Sequence, residues 1–463
     1  MTGVFPESIA FIGYNEPVRV EADIFDLVVE GTLPAALNGR WCRMTPDPQY
    51  PPFLADDFFI SGDGMISTFT FENGHVDFKC RYVQTERMLA ERRARRRLFG
   101  AYRNPYTDRP EAANVDRTAA NTTPIWHAGR LHASKEDGLP YEIDMETLQT
   151  KGRYDWAGKL RSKTISAHSK VDPETGELLI WGYEVTGAVT PHMMVGLVDA
   201  KGELVREQWF EAPFVGMVHD FAFTRDFIIF PLFPTIADDA RLRAGGDHWM
   251  SDISRETAIA VIPRNGSVED MRWFHVPGGQ AFHVINAWNE GNTIFIDICL
   301  AEINPFPVIR DVAGFPYDPR RAATLPWRWK IDLDADAITT ERLLGNIIGD
   351  LPRVDDRRVG SSYSQVYMAM LDPTRQFRMS GPVGPGFNML AGLDVESGAI
   401  DSWYGSDDDS FQEPQFVPAG PGETDGYVLS VIERHDRNGS DVGVFAADTM
   451  AGGPIGPIRM PPR

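Results

Sequence analysis

The chain has 463 residues, 43% of them hydrophobic and 11% aromatic, which is enough apolar material for a continuous core, and no linker or low-complexity tract divides it. Lys and Arg total 45 against 66 Asp and Glu, and the formal net charge of −21 repels nucleic acid and other polyanions. No stretch of about 18 apolar residues runs uninterrupted, and residues 1–10 lack a basic segment followed by an apolar one, so neither a membrane span nor a secretory leader is expected.

In chain order the predicted elements are short and mostly β. The first exception is a helical insertion around 86–99. It contains the basic run 91–97, and at helical spacing Met88, Leu89 and Leu98 form its apolar side while the arginines face solvent or pair with surplus acids. Apolar strands then follow a turn glycine or polar pair at 129–133, 176–181, 226–230, 291–296 and 426–431. The first four recur roughly every 45–65 residues and the last follows after about two such intervals, the spacing of propeller blades with loop insertions. Asp172-Pro173-Glu174-Thr175-Gly176 and Asp394-Val395-Glu396-Ser397-Gly398 read as hairpin turns in which Gly supplies positive φ. A second helical insertion is expected around 236–244. Periodicity alone leaves a β-sandwich array or a β-helix open; the reading favoured is an all-β propeller forming one domain over 1–463, with the insertions as a lid over one end of its channel. Cys42, Cys80 and Cys299 are scattered, odd in number and without a CxxC pair, so no disulfide framework or thiolate metal site is expected and the cytoplasm is the expected compartment.

Three of the ten histidines share a local setting: Ala167-His168-Ser169-Lys170, Val218-His219-Asp220-Phe221 and Phe282-His283-Val284. Each lies near the end of a strand-like run, and their separations of roughly 50 and 65 residues match the blade repeat. Successive blades could therefore each send one imidazole to a common axis, although spacing alone leaves ordinary packing histidines as the commoner explanation. His127, His132, His192 and His435 lack this setting.

Seven segments in order carry a family resemblance: Gly31-Thr32-Leu33-Pro34-Ala35-Ala36-Leu37-Asn38-Gly39, Gly62-Asp63-Gly64-Met65, Ala120-Asn121-Thr122, Lys135-Glu136-Asp137-Gly138-Leu139-Pro140, Ala167-His168-Ser169-Lys170-Val171-Asp172-Pro173, Met217-Val218-His219-Asp220-Phe221-Ala222 and Phe282-His283-Val284-Ile285-Asn286-Ala287. Together they resemble the carotenoid cleavage oxygenase family over nearly the whole chain. The resemblance implies a seven-bladed β-propeller with iron(II) on its axis, held by four neutral histidines of which His168, His219 and His283 match the first three. It also implies carboxylates that accept the outer N–H of the ligand imidazoles, at Glu136, at Glu413 and, where the family usually has Glu, at Asp350. Being one methylene shorter, Asp350 has to approach its histidine more closely or act through a water. The family's fourth histidine falls just after a segment like 453–463, so a further C-terminal segment bearing it is expected. His435 sits in a polar, exposed-looking turn and does not match it.

Within the family, the stilbene-cleaving branch is marked by a Phe, a Tyr and a Lys around the substrate, matched here by Phe59, Tyr102 and Lys135. Phe58 is an alternative to Phe59, because adjacent strand residues face opposite sides. Thr122 matches a position close to the open metal site. The activity implied is cleavage of the central C=C bond of a phenolic stilbene by O2 to two aromatic aldehydes, with Tyr102 and Lys135 holding and ionising the phenol. A homodimer is a further implication of the family. A carotenoid substrate on the same site, or a metal-free binding scaffold, are the competing readings.

Overall fold

The computed structural model describes residues 4–55, 57 and 59–461. Seven antiparallel sheets follow one another as the blades of a propeller. Blade 1 comprises Gly39–Pro46, Gly64–Glu72, His75–Tyr82 and, on its outer edge, Ala22–Ile24. Blade 2 comprises Thr123–His127, Arg130–Ser134, Tyr141–Ile143 and Thr150–Arg153, and blade 3 Lys170–Val171, Leu178–Tyr183, His192–Val198 and Leu204–Glu211. Blade 4 is formed by Ala222–Phe223, Phe227–Leu232, Thr257–Pro263 and Arg272–Val276; blade 5 by Gln280–Glu290, Thr293–Ala301, Leu325–Asp332 and Ala337–Arg342. Blade 6 has Ile348–Arg353, Gln365–Leu371, Met389–Asp394 and Ile400–Trp403. Blade 7 has Asp409–Phe411 and Gln415–Pro418 on one edge, then Gly426–Arg434, Gly439–Ala446 and Ile458–Arg459.

Position within a blade explains the composition of each strand. In Leu178–Tyr183 every residue is buried, because both faces are covered by neighbouring blades, and the strand reads as an unbroken apolar run. Ala337–Arg342, an outer edge, is exposed and polar. Aromatic side chains pack between blades, with Trp181 and Phe230 centred 5.5 Å apart and Tyr367 stacked on Phe416 at 5.3 Å. The hairpin glycines Gly176 and Gly398 have φ of +71° and +73°, as the turns require. The ring closes where residues 27–30 bridge the outer edges of blades 1 and 7: Leu27 N donates to Val76 O at 2.8 Å, and Arg459 N donates to Val28 O at 2.8 Å.

Two helices interrupt the strands among the described residues. Helix α1, Glu86–Ala94, starts where Thr85 Oγ1 accepts from Met88 N at 3.1 Å, and ends at Arg95, whose φ is +53°. Helix α2, Asp239–Arg243, is capped by Asp238. Asn104, between blades 1 and 2, ties the two insertions together by donating to Leu242 O at 3.0 Å and Gly246 O at 2.8 Å. In the arginine-rich run Arg93, Arg95 and Arg96 are exposed and Arg96 pairs with Glu111, as expected; Arg97 pairs with Asp57 at 3.4 Å and Glu91 at 3.7 Å but is buried, and both it and Arg87 donate to the Ser61 carbonyl. No helix among the described residues is long and apolar enough to cross a membrane.

Candidate metal centre and active site

The three expected histidines converge. His168 lies two residues before the first strand of blade 3, His219 precedes that of blade 4, and His283 lies within that of blade 5. One nitrogen of each lies within 4.8 Å of the others, and His168 Nε2 is 3.0 Å from His219 Nε2. Outer carboxylates orient two of the rings. His219 Nδ1 donates to Glu136 Oε2 at 2.8 Å, and His283 Nδ1 donates to Asp350 Oδ1 at 2.8 Å. With the outer nitrogens engaged in this way, the inner Nε2 lone pairs point at one another, an arrangement that suits a cation and leaves neutral imidazole as the ligand. Burial and the two neighbouring imidazoles hold His168 well below the usual histidine range. Burial also acts on His283, but the Asp350 carboxylate outweighs it and raises that ring. Despite its shorter side chain, Asp350 reaches its histidine directly.

A second device locks the three blades. Asp220, next to His219, receives Lys170 Nζ at 2.9 Å through one oxygen and Val284 N at 2.8 Å through the other. Lys170 is two residues beyond His168 and Val284 follows His283, so one carboxylate fixes the spacing of all three ligand-bearing segments.

Glu413 forms an ion pair with Arg353 Nε at 2.9 Å and no hydrogen bond to His168, His219 or His283; burial works against its charge, but Arg353 and His283 hold it below the usual carboxylate range. His435 lies in a hairpin turn as expected but is mostly buried, bonded to Ser410 Oγ at 3.1 Å and away from the cluster. His127, His132 and His192 likewise lie outside it.

Tyr102 and Lys135 stand together beside Glu136. Tyr102 OH donates to Glu136 Oε1 at 2.9 Å, so this carboxylate serves the tyrosine with one oxygen and His219 with the other. Burial and Glu136 push the Tyr102 hydroxyl well up, keeping it protonated. The Lys135 ammonium lies 5.1 Å from the centre of the Tyr102 ring and donates to Asn121 Oδ1 at 2.9 Å and Ile60 O at 3.1 Å. Lys135 is 2% exposed, and burial, partly opposed by Asp137 and Glu136, lowers its ammonium below the usual lysine value. Among the described residues it makes no salt bridge to Glu136 or Asp137. The Thr122 hydroxyl is turned to Asn121 Oδ1 at 3.1 Å and makes no hydrogen bond to the imidazoles. Phe58 and the Phe59 side chain lie outside the described residues. Sequence reasoning assigned no part to Asn121, Lys170 or Asp220, although all three stand inside the quoted motifs; their positions next to Lys135, His168 and His219 were the available signal.

A cavity of about 1240 Å³ reaches the cluster from blades 1, 5, 6 and 7, with Phe282, His283, Phe306, Asp350, Phe387 and Phe411 on its wall. Tyr102, Lys135 and Thr122 are not on that wall.

The sequence model of the family described as RPE65, retinal pigment epithelial membrane protein, matches residues 15–463. The chain belongs to the RPE65/carotenoid cleavage oxygenase family. It is 42% identical over 451 residues to an isoeugenol monooxygenase of Pseudomonas putida, covering 96% of this chain and 94% of that protein. It is 39% identical over 468 residues to lignostilbene-alpha,beta-dioxygenase isozyme III of Sphingomonas paucimobilis, covering 99% and 96%. The crystal structure of Pseudomonas brassicacearum lignostilbene dioxygenase superposes with a TM-score of 0.96 at 40% identity, covering 100% of this chain and 97% of that one. The protein is thus an oxygenase of a family that cleaves carbon–carbon double bonds, acting with O2 on an alkene, and the family depends on non-haem iron.

Proposed function

We propose that this oxygenase is an iron(II)-dependent dioxygenase that cleaves the central C=C bond of a 4-hydroxystilbene to two aromatic aldehydes, with both atoms of O2 entering the products. The observation that carries the reading is the pairing of a buried, neutral-partnered ammonium with a protonated tyrosine beside the histidine cluster. The three converging imidazoles, two held by carboxylates and none accompanied by a thiolate, fit iron(II), and His168, His219 and His283 would hold it. When bound, iron supplies the position at which O2 is activated.

The chain's own residues act on the other end of the substrate. Because Tyr102 spends its proton on Glu136, its oxygen is free to accept a phenol O–H. Lys135 has three N–H donors and uses two on neutral acceptors, leaving one for the phenol oxygen. Once the phenol has released its proton to solvent, a low-dielectric ammonium with no carboxylate in contact stabilises the phenolate strongly, and the phenolate's charge spreads through the ring to the alkene, making it more nucleophilic. Glu136 carries a dual duty: burial works against its charge, but His219, Arg103 and Lys135 hold it well below the usual carboxylate range, so it remains an acceptor for both Tyr102 and His219. Thr122 and Phe59 are assigned to the substrate pocket on the family resemblance, and the cytoplasm is the proposed compartment, in keeping with three free cysteines.

The identity to isoeugenol monooxygenase supports a second substrate reading, since isoeugenol, like lignostilbene and resveratrol, carries a para-hydroxyphenyl ring conjugated to the alkene. Oxygen uptake and aldehyde analysis on iron-loaded protein decide between them. Uptake with 4-hydroxystilbene, but little with unsubstituted stilbene, supports the proposal; turnover of isoeugenol well above that of 4-hydroxystilbene supports the second reading; equal rates on stilbenes with and without the hydroxyl overturn phenol activation.

A further inference from the structure

We propose that Arg103 is a positioning residue that sets the Tyr102 hydroxyl on Glu136, and so tunes selectivity for phenolic substrates, with Glu184 and His248 holding Arg103 in place. This rests on the reading of Tyr102 as a phenol-binding group.

Tyr102 stands on a loop between blades 1 and 2, not on a strand, so no sheet register dictates where its hydroxyl goes. The next residue supplies the missing constraint. Arg103 has a φ of +54°, the left-handed region that a side-chain-bearing residue occupies only when its surroundings impose it. Its guanidinium is buried and held by three groups: Nη1 donates to the main-chain carbonyl of Glu136 at 3.2 Å and to Tyr183 OH at 3.3 Å, and Nη2 pairs with the Glu184 carboxylate. The rings of Tyr183 and Trp249 flank it at 5.0 and 5.6 Å.

The decisive contact is the one to Glu136. Arg103 binds the backbone of the residue whose side chain receives Tyr102 OH, so adjacent residues of the loop grip both ends of the same partner. A shift of the loop that lengthened the Tyr102–Glu136 bond would break the Arg103–Glu136 bond as well. Glu184 completes the brace. It also has a positive φ, +52°, and it accepts from His248 Nε2, with His248 Nε2 3.0 Å from Glu184 Oε1. His248 is buried in the insertion that follows α2. The buried charge of Arg103 therefore joins the tyrosine loop to blade 3 and to the second insertion. The brace makes no direct contact with the three imidazoles and reaches His219 only through Glu136, so iron content is read beside selectivity.

The test uses iron-loaded Arg103→Lys and Glu184→Gln, alone and combined with Tyr102→Phe. The readouts are the ratio of kcat/KM for 4-hydroxystilbene over unsubstituted stilbene, the equilibrium dissociation constant of 4-hydroxystilbene, and iron content. Glu184→Gln keeps the shape of the brace and serves if Arg103→Lys fails to fold. The expected result is a fall of about tenfold or more in the ratio and a matching loss of affinity, at unchanged iron content. In the Tyr102→Phe background the same substitutions should change the ratio less than about twofold, because the group they position is gone. Equal losses on both substrates, or an undiminished effect in the Tyr102→Phe background, overturn the proposal while leaving the phenol reading intact. If Tyr102→Phe by itself leaves the ratio at the wild-type value, the phenol reading fails and this proposal fails with it.

Discussion

Tyr102 and His219 share one carboxylate: Glu136 accepts the tyrosine hydroxyl at 2.9 Å on one oxygen and the imidazole N–H at 2.8 Å on the other. Removing the hydroxyl separates the two duties. Tyr102→Phe deletes a charge-assisted hydrogen bond to the Glu136 carboxylate and, on the proposed function, a contact to the substrate phenol, but leaves the His219–Glu136 bond in place. The expected outcome is a loss of 10- to 1000-fold in kcat/KM for 4-hydroxystilbene, about 1–4 kcal/mol, with iron content unchanged by metal analysis. A variant that lost iron as well would place Tyr102 in the support of the metal instead.

Lys135 predicts a pH profile. On the proposed function its ammonium is the active form; burial lowers its pKa, so the charge is present at low pH and is lost as pH rises through a value below the ordinary 10.5. The alkaline limb of kcat/KM for a phenolic substrate should therefore begin earlier than for an unperturbed lysine. Lys135→Arg should move the limb upward, since a guanidinium does not deprotonate there. Lys135→Met should be slow at every pH, and wild-type rates in that variant would remove Lys135 from the reaction.

Metal affinity depends on residues that do not touch the metal. Asp350→Asn replaces the acceptor of His283 Nδ1 and should weaken binding by roughly 10- to 100-fold, read as the dissociation constant of a divalent ion in a competition titration. Asp220→Ala should weaken it too, because it frees the His168, His219 and His283 segments from one another and leaves the Lys170 ammonium without its partner. His168→Ala should abolish stoichiometric iron, whereas His127→Ala and His192→Ala should retain it.

His132 sets an acid limit to stability. It is 4% exposed and stacked on Tyr154 at 4.6 Å, and burial, helped by Arg130 and His127, pushes it down to about 4 from 6.5. Between these values the unfolded chain takes up a proton that the folded chain refuses, so stability falls as pH drops from 6.5 towards 4. The full effect is up to about 3 kcal/mol at 1.36 kcal/mol per pKa unit. His132→Phe should flatten the urea midpoint across this window, and an unchanged slope would mean that other groups govern it.

Much of the ring was legible because blade position writes itself into composition. The five apolar runs read from the sequence are the second strands of blades 2, 3, 4, 5 and 7, the most deeply covered positions. The doubled interval before the last run is blade 6, whose second strand, Gln365–Leu371, follows serines instead of a turn glycine. The converging histidines were legible for the same reason, being one per blade. What composition could not show was the contact between remote polar side chains. Glu413 meeting Arg353, or Arg103 meeting Glu184 and His248, depends on how loops from different blades fold over one another, and no local pattern encodes that. The burial of Arg97 was missed because the helix ends at Ala94, with Arg95 turning to a φ of +53°, so helical spacing no longer places the side chains that follow.

The wheel has a hub. His168, His219 and His283 come from blades 3, 4 and 5, Glu136 from the turn beyond the second strand of blade 2, and Asp350 from the first strand of blade 6, so five of seven spokes end on one fastening. Any ion seated there favours the assembled ring over an opened one, by about 2.7 kcal/mol when its free concentration is a hundred times its dissociation constant. Iron supply would then govern how long the protein survives as well as how fast it turns over: under metal starvation, protease attack should begin at the axial ends of blades 3 to 5 and spare the seam that joins blades 1 and 7.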